Sequence, residues 1–216
     1  MINDKKVCLI VGAGELDGAV LCRRESDFVI AADGGLKYLA EAGVTPDLVV
    51  GDFDSLGYRP EHPNIICHPP EKDDTDTMLA VKEGFARGFD TFLLYAGLGG
   101  RLDHTVANLQ TLSYIAERGG RGYIVGGNSV STVIRNGKIE FAAENSGMIS
   151  VFCSGETAKG VTISGLKYEV EDAELGSDFP LGASNEFCGK AAAVSVKSGR
   201  LLIIWQQQGF YPLLQD

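Results

Sequence analysis

Short apolar runs separated by helical spacing dominate the first 125 or so residues. "KVCLIVGAG", "DFVIAADGG", "PDLVVGD", "NIICHPP", "DTFLLYAGLGG" and "GYIVGG" read as six buried strands. Most end in Gly, Asp or Pro, and their continuous Val/Ile/Leu content fits strands covered on both faces of a parallel sheet. Between them, "DTDTMLAVKEGFARG" predicts a helix, with Met78, Val81, Lys82 and Phe85 at three-to-four spacing and Gly88 as its stop. A second helix is predicted from about Leu102 to Arg118, with Val106, Leu109 and Ile115 inward and Gly119 closing it. Alternation of this kind predicts an α/β doubly wound domain.

After Asn128 the helical period disappears. "STVIRNGKIEF" carries an Asn136-Gly137 turn and "AAAVSVKSGRLLIIW" turns at Ser198-Gly199, both read as hairpins. With "GMISVFCS" and "GVTISGLKYEV" they predict a smaller all-β sandwich. The expected organisation is an α/β domain over residues 1–127 and a β-sandwich over 128–216, without a Pro- or Ser-rich linker.

Composition narrows the function. The 216 residues carry 29 Asp and Glu against 19 Lys and Arg, a net charge of −10, which argues against binding a nucleic-acid backbone. No apolar run approaches the roughly 18 to 20 residues of a membrane helix, and Met1 is not followed by a charged-then-apolar leader, so a cytoplasmic protein without a membrane partner is expected. The five cysteines lack C-x-x-C spacing and predict reduced thiols, not disulfides or zinc.

Seven acids stand where a strand ends or a helix begins: Asp33 in "AADGG", Asp52 and Asp54 in "GDFDS", Asp73, Asp74 and Asp76 in "KDDTDT", and Asp103 in "GRLDH". Ligands of doubly wound sheets bind beyond the carboxyl ends of the strands, so these segments should converge on one rim. An isolated Asp at a helix start is more often a simple cap. Four acidic segments at four strand ends point instead to a cation among them, and hard oxygen donors without a His or Cys cluster suit Mg²⁺. In "VVGDFDS" a period of two would put Asp52 and Asp54 on one side and Phe53 on the other. "YAGLGGRLDH" adds a glycine-rich strand-to-helix turn at Gly99-Gly100, where backbone N–H groups could face an anion beside Arg101, and Lys72 could supply a further positive charge. No P-loop is present, and "GAGELDG" departs from the dinucleotide fingerprint at Asp17.

"AADGG…TPDLVVGDFDS", "PPEKDDTDTMLA", "GGRLDHTVANL", "SGLKYEV" and "GASNEF" resemble the thiamine pyrophosphokinase family in order and approximate spacing, over nearly the whole chain. The resemblance implies transfer of the pyrophosphoryl group of ATP to the hydroxyl of thiamine, giving thiamine diphosphate and AMP, with Mg²⁺. It implies that Asp52, Asp54 and Asp76 hold the metal, with Asp73 and Asp103 as further catalytic candidates and the general base open among these carboxylates. It places Asp33, Thr75, Gly99, Gly100 and Arg101 against ATP, and Tyr168, Ser184 and Asn185 against thiamine. It also implies a homodimer whose active site is shared between subunits. Two other expectations stay open: a related pyrophosphokinase acting on a hydroxymethylpterin, and a non-catalytic nucleotide- or thiamine-binding regulator.

Overall fold

The computed structural model describes residues 6–53, 57–68 and 73–212. Its first part alternates as the apolar pattern predicts. β1 (Cys8–Val11), β2 (Phe28–Ala32), β3 (Leu48–Gly51), β4 (Ile65–Cys67), β5 (Thr91–Tyr95) and β6 (Arg121–Val125) form the parallel part of one sheet, in the order β6-β5-β1-β2-β3-β4. The central strands β1, β3 and β5 are buried along their whole length. Alternate side chains feed two cores: Leu9, Val11, Leu93 and Tyr95 on one face, Cys8, Ile10, Phe92 and Leu94 on the other. This two-sided burial is why the sequence shows unbroken apolar runs there.

Three helices cover these faces: α1 (Gly35–Glu41), α2 (Asp76–Ala86) and α3 (Leu102–Glu117). The last two end where their stop signals predict, with Gly88 at φ 85° and Gly119 at φ 75°. Only glycine enters that region without strain. α1 has seven residues, too few to show a helical period, and the sequence did not announce it. Val106 corrects the inward assignment on α3. It is exposed, whereas Leu109 and Ile115 do face the core, joined there by Asn108 and Leu112, Asn108 donating from Nδ2 to the Gly97 carbonyl at 2.8 Å.

From β7 (Ser129–Arg135) onward every element is a strand: β8 (Lys138–Phe141), β9 (Met148–Cys153), β10 (Thr157–Ser164), β11 (Val170–Gly176), β12 (Gly182–Glu186), β13 (Ala192–Ser195) and β14 (Arg200–Gln206). They form two facing layers, but one layer belongs to the parallel sheet. β7 pairs antiparallel with β6, and the sheet runs on through β14 and β9 to β12, ten strands in all. The other layer has four strands, β11-β10-β13-β8. Val130, Ile149, Val151, Leu201, Ile203 and Trp205 of the large sheet meet Phe141, Ala158, Val161, Leu175 and Val194 of the small one in a single core.

The two hairpins read from the sequence are corners between these layers. β7 and β8 lie in different sheets, as do β13 and β14. The paired partners are β7 with β14 and β8 with β13, so one two-stranded ribbon bends from sheet to sheet. Its bends are tied together: Asn136, at φ 44°, donates its N–H to the Gly199 carbonyl at 3.1 Å and accepts from the Gly199 N–H on Oδ1 at 2.9 Å. Turn chemistry was legible, whereas the strand's partner is a tertiary property.

A second tie runs the length of the chain. The Tyr211 hydroxyl, beyond β14, reaches both carboxylate oxygens of buried Asp27 at 2.8 Å, and Asp27 also accepts from the Arg24 and Val7 N–H groups. Among the described residues no helix is long and apolar enough to cross a membrane.

Candidate active site

The rim forms where the ends of β1, β2, β3 and β5 close on one another. After β1, the N–H groups of Gly12, Gly14 and Glu15 donate to the carbonyls of Tyr95, Ala96 and Leu98 after β5, at 2.9, 2.9 and 3.0 Å. Two glycines permit this approach: a Cβ on Gly14 would lie 2.5 Å from the Ala96 oxygen, and one on Gly35 would lie 1.8 Å from the Val11 oxygen. Asp33 follows β2 at φ 47° and is buried, its N–H donating to the Val50 carbonyl at 2.8 Å. A Cβ on Gly51 would sit 3.1 Å from the Asp33 Cα, so the turns carrying Asp33 and Asp52 are in contact. The α2 N-terminus joins them, since a Cβ on Gly12 would come within 3.6 Å of the Thr77 hydroxyl.

Each rim residue is held in a definite way. Asp52 is half-buried just past β3. Phe53 is buried at φ 63°, so the chain has left the extended conformation, and the period-two relation expected between Asp52 and Asp54 does not apply. Asp54 and Lys72 lie outside the described residues. Thr75 caps α2, its hydroxyl accepting from the Met78 N–H at 3.2 Å, and Asp76 opens the first turn. Asp73 is exposed, while Asp74 pairs with Lys82 at 2.6 Å.

Gly99 and Gly100 hold φ values of 76° and 61° and lead into α3. Arg101 is engaged with Asp103 on the first turn of that helix, through Nη2 at 2.6 Å and Nε at 3.2 Å. The pair is exposed. The Arg101 hydrogen bond pulls the Asp103 carboxyl below its usual range, and Asp103 raises Arg101 in return. Glu15 is a rim acid to which the sequence reading assigned no role. The only signal for it was a glutamate inside a strand-end "GAGELDG", and its pairing with Leu98 depends on the fold.

The second group stands at the far edge of the ten-stranded sheet. Asn185, on edge strand β12 and 4 % exposed, accepts on Oδ1 from the N–H groups of Tyr168 (3.0 Å) and Glu186 (2.9 Å), and donates from Nδ2 to the Tyr168 carbonyl at 2.7 Å. Lys167 donates its N–H to Glu186, and Leu166 bridges to Phe187. The Glu169 carboxylate closes the loop by accepting from the Gly165 N–H at 2.7 Å, which holds Glu169 below the usual carboxylate range. All these bonds fix the backbone, and the Tyr168 ring projects 61 % exposed. Ser184 is exposed at φ 58°, its N–H donating to the Ser150 hydroxyl at 3.1 Å. A packing role in the sandwich suits Trp205, which is buried against Phe141 and Phe210, but not Tyr168.

The structure thus brings Asp33, Asp52, Thr75, Asp76, Gly99 and Gly100 to neighbouring strand and helix ends, and Tyr168, Ser184 and Asn185 to one strand edge. It does not bring the two groups together: five strand spacings lie between β5 and β12 and eight between β3 and β12, which at about 4.8 Å each is roughly 24 to 38 Å along the sheet. A cavity of about 440 Å³ beside β6, β7 and β8, lined in part by Tyr123, Trp205 and Phe210, contains none of these residues. Among the described residues no three His, Cys, Asp or Glu side chains converge tightly enough to hold a metal unaided. The carboxylates at the rim suit Mg²⁺, which is commonly held by one or two protein carboxylates together with substrate phosphates.

Two family models match successive parts of the chain. Residues 21–123 match the family model "Thiamin pyrophosphokinase, catalytic domain", and residues 137–201 match "Thiamin pyrophosphokinase, vitamin B1 binding domain". The thiamine pyrophosphokinase of Bacillus subtilis is 26% identical over 182 residues, covering 81% of this chain and 85% of its own. A crystal structure of a thiamin pyrophosphokinase family protein from Enterococcus faecalis superposes with a TM-score of 0.79 at 27% identity, over 93% of this chain and 99% of its own. The crystal structure of the Bacillus subtilis protein gives a TM-score of 0.83 over 94% of this chain and 100% of its own, a likeness of fold at 23% identity.

Proposed function

The chain belongs to the thiamin pyrophosphokinase family, and we propose that it transfers the pyrophosphoryl group of ATP to the hydroxyl of thiamine, with Mg²⁺, at a site completed by a second copy of the chain. The observation that carries this reading is the division of the site. An acidic, glycine-rich rim suited to a metal–triphosphate and a displayed aromatic ring suited to a flat cation occupy separate parts of one chain, roughly 24 to 38 Å apart along the sheet. No substrate of thiamine's size spans that distance. Two copies arranged so that the rim of one faces the β12 edge of the other would each complete a site.

In the proposed reaction the thiamine hydroxyl oxygen attacks the β-phosphorus of ATP. The bond between the β-phosphorus and the oxygen bridging to the α-phosphate breaks, AMP leaves with that electron pair, and the hydroxyl proton passes to a rim carboxylate. Asp52, Asp54 and Asp76 would hold Mg²⁺, which when bound neutralises charge on the transferred group. Gly99 and Gly100, with the α3 N-terminus, would offer N–H groups to phosphate, and Arg101 would add its guanidinium after releasing Asp103. Asp33 would border the nucleotide, Thr75 would position Asp76 by fixing the first turn of α2, and Asp73 and Asp103 remain candidates for the base. Tyr168 would stack on thiamine, an arrangement that favours a cationic ring, with Ser184 and Asn185 bordering it.

Purified protein incubated with ATP, Mg²⁺ and thiamine should yield AMP and thiamine diphosphate in equal amounts. ADP would indicate an ordinary kinase, and AMP released only with a hydroxymethylpterin would replace thiamine as the acceptor. Sharing between subunits has its own measurement. Asp52→Asn and Tyr168→Ala homodimers, dissociated, mixed and assayed at thiamine well below the raised KM, should turn over faster than the mean of the two separate variants, because some hybrids carry one wholly native site. No gain over that mean, or a fully active monomer by light scattering, would rule the shared site out.

A further inference from the structure

The Glu15 side chain lies against the Gly99-Gly100 turn. Its backbone is fixed to that loop: Glu15 and Leu98 form an isolated antiparallel bridge, with the Glu15 N–H donating to the Leu98 carbonyl at 3.0 Å. Its side chain then lies along the turn. A Cβ on Gly99 would meet the Glu15 Oε2 at 2.8 Å and its Cβ and Cδ at 3.0 Å, and one on Gly100 would meet Oε1 at 3.9 Å. Both carboxylate oxygens therefore approach successive residues of the turn that opens α3. A helix N-terminus carries partial positive charge, so a carboxylate is favoured there while no other anion is present. A triphosphate arriving at this turn meets that carboxylate as a like charge.

We infer that Glu15 is an affinity-setting residue of the triphosphate turn, an internal anion that competes with ATP for it. The inference rests on the reading of Gly99-Gly100 as a phosphate turn. Glu15 is exposed and is tied to Leu98 through its backbone, so neutralising the side chain leaves the β1–β5 connection intact. Removing one charge at contact distance from a polyanion near the surface should tighten binding about five- to tenfold, less at high salt.

The test is calorimetric titration of ATP, without divalent cation, into the intact protein and its Glu15→Gln, Glu15→Ala and Arg101→Ala forms. Both Glu15 variants should bind ATP about five- to tenfold more tightly than wild type, with the gain shrinking as salt rises and the KM for thiamine unchanged. Arg101→Ala should bind more weakly. If Arg101→Ala weakens ATP while the Glu15 variants bind it equally or less well, the turn holds phosphate and Glu15 does not oppose it, which sinks this inference alone. If none of the variants changes ATP affinity, the phosphate-turn reading falls with it.

Discussion

The two halves of the site are built by different means. At the rim, functional groups sit on loops that leave parallel strands, several in the left-handed backbone region: Asp33 at φ 47°, Phe53 at 63°, Ala96 at 51° and both glycines of the Gly99-Gly100 turn. At the β12 edge, Asn185 is buried within a strand and binds the Tyr168 backbone from both ends of its amide. The first arrangement gathers carboxylates that repel one another and are best accommodated around a cation. The second is held by its own bonds: Asn185 joins neutral backbone groups, and the Glu169 carboxylate accepts from the Gly165 N–H. The proposed function assigns charge-carrying chemistry to the acidic loops and recognition of a cationic ring to the stiffened edge.

Substitutions can separate these two modes. Asp52→Asn should lower kcat by about three orders of magnitude, as expected when a group acting on developing charge is removed, with an unchanged melting curve. A rate within threefold of wild type would show that the rim is not the reaction centre. Asn185→Ala should act on structure and binding together. Three hydrogen bonds are lost and buried backbone groups are left unpaired, so we expect a loss of about 2 to 3 kcal/mol in denaturant unfolding with a raised thiamine KM. If stability is unaffected, the edge is not preorganised in the way described.

Tyr168→Ala should raise the thiamine KM about tenfold, consistent with ring stacking and cation–π interactions of about 1 kcal/mol, and leave stability alone because the ring is exposed. An effect confined to the ATP KM would place the ring on the wrong side of the comparison. A further effect, on stability alone, concerns the tie between Tyr211 and Asp27. Tyr211→Phe removes the hydroxyl that reaches Asp27 and should cost about 1 to 2 kcal/mol of stability without changing either KM.

That tie also has a pH signature. Burial first, and then the Asp27 carboxylate, push the Tyr211 phenol above its ordinary value. The folded protein therefore holds this proton more tightly than the unfolded chain does. The contribution is complete below pH of about 10, the unfolded value, and declines above it. Wild type should lose stability over that alkaline range more steeply than Tyr211→Phe. Parallel profiles would remove the Asp27 bond from the account.

The sequence alone determined the parallel strands, two of the three helices with their stops, and the acids at strand ends, because each follows from burial period or local backbone chemistry within a dozen residues. Phe53 shows where such reasoning ends: alternation assumes an extended chain, and the backbone had already turned. Only the tertiary structure decided that the Asn136 and Gly199 bends are corners and not hairpins, since a strand's partner is chosen by the packing of two sheets around Trp205 and Val194. It also decided that Glu15 lies over Gly99. The β1 and β5 strands are adjacent in space but 84 residues apart along the chain, judged by their paired Cys8–Phe92 register, and no local pattern encodes a contact that long-range strand pairing creates.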